Sequence, residues 1–229
     1  MKKDLAIAYK VLAYLGMDDH TYTHLSTRCQ SIEGFYIQPF GLRFDEVTEE
    51  NLLSVSLEGE VIDGQEYQYN KTGYVIHGSI YKARGDINAI FHLHTTNITA
   101  VSSIEEGLLP INQWALHFYD RISYHKYDSL ALAEHYGERL AQDLGKNNVM
   151  LMRNHGCLIC AKSLHEALFY AYHLEKACAA QIATLSMGKS IVVPDTQTCK
   201  KASADLLSFE KDLGMRDWIS WKRIIQNPK

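Results

Sequence analysis

A chain of 229 residues, 46% hydrophobic and 22% charged, has an ordinary globular composition and is long enough to bury a sizeable core in one large domain. Its net charge of −4, with no basic run, lacks the electrostatic footprint of a nucleic-acid binder. Apolar stretches are broken by charge well before the roughly 20 residues needed to cross a bilayer, and the start Met-Lys-Lys-Asp-Leu-Ala has no apolar run with a cleavage site, so a cytoplasmic protein without membrane or nucleic-acid partners is expected.

Leu5 to Leu15 is apolar with helical spacing and stops at Gly16. Thr23–Arg28 and Phe35–Pro39 read as two short strands joined by a turn at Glu33-Gly34. Thr48-Glu49-Glu50-Asn51 predicts the start of one short helical turn, Leu53–Leu57 alternates as a strand, and Glu58-Gly59-Glu60 turns into Val61-Ile62. Tyr74 to Arg84 carries a helical stripe of Val75, Ile76, Ile80 and Tyr81. The stretch Asp86 to Thr96 predicts a buried strand, after which Thr95 or Thr96 caps a helix through Val101 and Ile104 that ends at Gly107. Asn112 to His125 mixes a short helix with a strand around Ile122 and Tyr124, and Ser129 to Leu144 is helical. Val149–Met152 and Cys157–Ala161 read as hairpin strands, followed by the longest helix, Leu164 to about Met187, capped by Ser163 and Glu166. The tail, with Trp218 and Trp221, is expected to be a docked helical extension over 195–229.

Strands interleaved with helices imply an α/β domain, and hairpins beside crossovers imply a mixed sheet. The five cysteines are odd in number and scattered, so no disulfide framework is expected. Cys157 and Cys160 share a predicted strand, where an i, i+3 spacing sends the thiols to opposite faces as buried structural groups. No glycine-rich phosphate-binding motif supports a nucleotide cofactor.

His92 and His94 sit two apart at the end of the predicted strand, so both imidazoles leave one face and can converge on one point. Alone, such a pair reads equally well as one solvated and one hydrogen-bonded histidine. Arg153-Asn154-His155-Gly156 supplies a third strand-end histidine at a turn where Gly156 permits a sharp bend or a close backbone approach. Three imidazoles meeting at one rim, with a fourth position open, form a catalytic zinc arrangement.

With His92-Leu93-His94-Thr95 and Asn154-His155-Gly156 about sixty residues apart, the sequence resembles the class II aldolase/adducin family. Supporting matches are Leu25-Ser26-Thr27-Arg28, Pro39-Phe40-Gly41-Leu42, and His77 through Ala83-Arg84-Gly85-Asp86. The resemblance spans residues 4–190 of a single domain. It implies a three-layer α/β/α fold with a largely antiparallel central sheet, usually a homotetramer. It also implies a divalent metal on His92, His94 and His155, zinc first, with iron(II) or manganese(II) as alternatives. In such enzymes the metal polarises a small hydroxy-carbonyl substrate, a sugar or sugar phosphate, and stabilises an enediolate. Aldolases, an epimerase, dehydratases and decarboxylases share that site.

The chain departs from the aldolases at two places. Gly73 stands where their acid/base carboxylate is expected, and Thr23-His24 replaces a Gly-Asn anion loop. His24, Lys71 and Thr72 are therefore candidates for substrate binding, and His125, beside Tyr124 and Tyr127 with the pair Tyr119-Asp120 nearby in an irregular segment, for the missing proton carrier, an exposed loop histidine being its plainer reading. His77 is expected to make a structural hydrogen bond, while His20, His117, His135, His165 and His173 are surface or packing residues. Three readings stand: an aldolase-type lyase, a non-catalytic adducin-like interaction module, or an iron site for oxygen chemistry.

Overall fold

The computed structural model describes residues 1–128 and 134–227. Its elements are α1 (Lys2–Tyr14), β1 (His24–Arg28), β2 (Gly34–Ile37), β3 (Leu53–Ser56), β4 (Val61–Asp63), α2 (Lys71–Ala83), β5 (Ala89–Leu93), α3 (Thr96–Ser102), α4 (Gln113–Leu116), β6 (Ile122–His125), α5 (Glu134–Leu144), β7 (Val149–Met152), β8 (Gly156–Ala161), α6 (Leu164–Ser186), α7 (Thr196–Ser208) and α8 (Met215–Gln226). Among the described residues the strands form one sheet in the order β4-β3-β2-β1-β5-β8-β7-β6. Every pairing is antiparallel except β6 with β7. The fold is α/β with the mixed sheet that the residue pattern implies, largely antiparallel as the family resemblance implies.

Strand alternation sorts the core into two layers. On one face Ala89, Phe91 and Leu93 of β5 pack with α1, α3 and α6; on the other, Ile90 packs with Ile76 and Ile80 of α2 and Leu140 of α5. All five residues of β5 are buried, because a central strand covered on both faces has no solvent side. Cys157 and Cys160 fall in opposite layers, as their spacing predicts, and both are free thiols. Ser163 caps α6 by accepting from the Glu166 amide at 3.2 Å, and the Glu166 carboxylate accepts from Lys162 N. Trp218 of α8 is buried against the first layer, so the tail is docked.

Two expectations need correction. The short helix lies at Phe44–Glu46 rather than at Thr48–Asn51, where the two side chains instead accept from each other's backbone amides and close a turn. Thr95 precedes α3 but does not cap it, since its hydroxyl donates to Glu175, and the helix ends at Ser102, short of Ile104. The helical pattern from Ser129 is described only from Glu134, and residues 129–133 lie outside the described residues.

Candidate metal centre

His92 belongs to β5, His94 lies one residue beyond its end, and His155 closes the turn between β7 and β8. The turn holds Asn154 at φ 58°, a left-handed conformation that asparagine tolerates, and His155 N donates to the Met152 carbonyl at 3.1 Å. Gly156 then brings β8 against the end of β5, because a Cβ there would sit 2.3 Å from the Leu93 carbonyl oxygen. That close approach, rather than a positive φ, is why the turn needs glycine. The three rings meet with centroids 4.6, 4.9 and 4.7 Å apart, and one nitrogen from each lies within 4.8 Å of the other two.

Two of these rings are oriented by their outer nitrogens. His92 Nδ1 lies 2.9 Å from the Cys157 carbonyl oxygen and His94 Nδ1 lies 3.0 Å from Asp19 Oδ2. Both partners only accept, so both Nδ1 atoms carry the proton and both Nε2 atoms present lone pairs to each other at 2.9 Å. Such a pair is satisfied only by a shared positive charge, a second proton on one ring or a cation between them. Burial and the neighbouring His94 push His155 down to about 4, and burial holds His92 well below the ordinary imidazole range, which keeps these rings as neutral donors. An all-imidazole donor set suits zinc and iron. A carboxylate or carbonyl stands behind each of these two rings, as it usually does behind a metal-binding histidine.

Behind His92 lies a buried polar row. His24, in β1 opposite His92, is 2% exposed and packs 5.0 Å from that ring. Its Nδ1 meets His77 Nε2 at 2.9 Å, His77 Nδ1 bonds Ser26 Oγ, and Ser26 Oγ bonds the Tyr81 hydroxyl. His77 is thus structural, as expected. His24 is a strand residue, not part of an anion-binding loop, and burial lowers its pKa to about 3. Gly73 packs under it: a Cβ would lie 3.2 to 3.3 Å from three of its ring atoms.

The remaining candidates divide. Lys71 is exposed at the start of α2, whereas the Thr72 hydroxyl is held by Asn70 Oδ1 at 2.6 Å. His125 is not an exposed loop histidine. It ends β6, is 6% exposed, and bonds Asp143 Oδ2 through Nδ1 at 2.6 Å. It shares a cavity of about 20 Å³ with Tyr127 and His155. Tyr119 and Asp120 precede the opposite end of β6.

The model of the Class II Aldolase and Adducin N-terminal domain matches residues 3–182. The chain belongs to the class II aldolase and adducin family. A solved aldolase II superfamily protein from Pseudomonas syringae is 38% identical, with a TM-score of 0.93 over 98% of this chain and 91% of that one. L-fuculose 1-phosphate aldolase from Glaciozyma antarctica is 26% identical, with a TM-score of 0.87 over 98% and 88%. Alpha-adducin of Mus musculus is 37% identical over 80% of this chain but only 25% of adducin. The family thus covers both an aldolase and an adducin.

Asp19 and Asp143 escaped the sequence reading. Each is far from its histidine in the chain, 75 residues for Asp19 and His94 and 18 for Asp143 and His125, and neither lies in a motif.

Proposed function

We propose that this chain is a divalent-metal-dependent lyase of aldolase type acting on a small hydroxy-carbonyl compound, with His92, His94 and His155 as ligands. The observation that carries the reading is the pair of facing Nε2 lone pairs at 2.9 Å, each fixed by an acceptor behind its ring, with a third imidazole alongside. Bound there, a zinc, iron(II) or manganese(II) ion supplies Lewis acidity to a substrate carbonyl and its neighbouring hydroxyl.

The chain's own groups do the rest. Asp19 and the Cys157 carbonyl hold two ligand rings in register. His125, steadied at Nδ1 by Asp143, keeps Nε2 for proton transfer beside His155 and stands in for the carboxylate missing at Gly73. Lys71 offers a charge to an anionic substrate group at the start of α2. Retro-aldol cleavage is the leading reaction; decarboxylation, dehydration or epimerisation would use the same ligands. Assembly as a homotetramer and a cytoplasmic location go with this reading.

The test is the metal content of protein purified without a metal-affinity tag. About one zinc, iron or manganese per chain, lost in His94→Ala with the circular dichroism spectrum kept, supports it. Turnover of hydroxy-carbonyl compounds should then fall in His125→Gln with metal content unchanged. A chain that neither carries nor takes up metal would sink the reading in favour of an adducin-like interaction module, which the 37% identity to alpha-adducin makes the second choice.

A further inference from the structure

β6 and β7 run parallel, so His125 and Met152 end together on the side of the histidine centre while Ile122 and Val149 begin together at the opposite rim. At that rim a cavity of about 470 Å³ opens between the strand starts and α7. That is within the usual size of small-molecule sites, about 300–1,000 Å³. Three cations line it, Arg121, Lys146 and Lys200, against one carboxylate, Asp120. None of the three cations has an ion pair among the described residues.

A second observation is independent of charge. Ser203, also lining the cavity, is 3% exposed, yet its hydroxyl has no hydrogen-bond partner. A buried hydroxyl left unmatched is costly, and an oxyanion is the acceptor that would satisfy it next to three cations. Ser203 and Lys200 lie three apart on α7 and so share a helix face. α7 lies beyond residues 3–182, so the rim is built jointly by the family domain and the helix that follows it.

We propose that this cavity is a second ligand site, for a small phosphate ester, with Arg121, Lys146, Lys200 and the Ser203 hydroxyl holding the phosphate group. Arginine suits the oxygens of a phosphate as a two-pronged donor, and the lysines act as point charges. The volume leaves room for the organic part of the ester. The inference does not depend on the metal-centred reaction.

The test uses the full metal-loaded chain and inorganic phosphate as probe, at constant ionic strength, followed by isothermal titration calorimetry and thermal melting. Saturable binding in the millimolar range or tighter is expected, weakened about tenfold or more by Arg121→Ala or Lys146→Ala. Ser203→Ala should melt at the same temperature as the parent or higher without phosphate, yet bind phosphate more weakly. His94→Ala should bind it as the parent does. Absence of saturable binding, binding that is unchanged in both Arg121→Ala and Lys146→Ala, or binding lost in His94→Ala would overturn the assignment, the last by moving the anion to the histidine centre.

Discussion

Replacing Gly73 by alanine sets two effects of opposite sign against each other. Alanine in the first turn of a helix stabilises by roughly 0.5–1 kcal/mol over glycine, through the entropy that the unfolded chain loses. Against this, the new methyl would lie 3.2 to 3.3 Å from the His24 ring, tighter than ordinary contact. The ring has little room to retreat, being tied to His77 at 2.9 Å and packed 5.0 Å from His92. Overpacking of this kind costs about 1–3 kcal/mol. A net loss of about 1 kcal/mol is expected, or roughly 2–4 °C in melting temperature for a domain of this size. With His24→Ala the obstruction is gone, and the same Gly73→Ala change should stabilise by about 0.5–1 kcal/mol, giving a coupling of about 1.5–2 kcal/mol. Urea unfolding of the four proteins, followed by circular dichroism, measures it. Equal stabilisation by Gly73→Ala in both backgrounds would refute the packing argument.

Asp19→Asn should weaken metal binding about 10- to 100-fold with the fold intact, read by competition with a chelating dye. Gly156→Ala drives a methyl into the Leu93 carbonyl, where backbone rather than a flexible side chain must yield. It should cost about 3 kcal/mol or more in urea unfolding. Metal binding should fail with it, and a stable, metal-binding Gly156→Ala would show that the strands can separate without cost. The stability of the metal-free protein should fall as pH drops below about 6.5. The unfolded chain then takes up a proton at position 24 that folded His24, with a pKa of about 3, refuses. At pH 5.5 this one residue costs about 1.4 kcal/mol relative to pH 8. A urea midpoint that did not decrease from pH 8 to pH 5.5 would contradict a neutral, buried His24.

The sheet was legible because period-two and helical stripes are local signals, and Gly16, Ser163 and Glu166 mark element ends in the sequence itself. Convergence of His92, His94 and His155 was also legible, since strand ends and a glycine turn limit where side chains can go. The groups behind the rings were not. Asp19 reaches His94 across 75 residues, and no spacing rule spans such a distance. His125 stands in a segment of irregular composition that reads as exposed, yet it ends a buried strand and meets Asp143 of α5, which no motif marks. Thr48 and Asn51 have the residue types of a helix cap but satisfy each other's backbone instead, a competition that composition alone does not decide.

The sheet order also dictates when the site can come into being as the chain is made. β5 is flanked by β1, some sixty residues before it, and by β8, some sixty residues after it. Pairings this distant in sequence are slow to form, because the intervening loops must be closed first. His92 and His94 therefore leave the ribosome well before His155 and the β8 strand that follows it, and for that interval only Asp19, already made, is present to support a ring. Only with β8 in place do the Cys157 carbonyl and His155 reach them, so any ion would be acquired by a nearly finished domain rather than by a growing one.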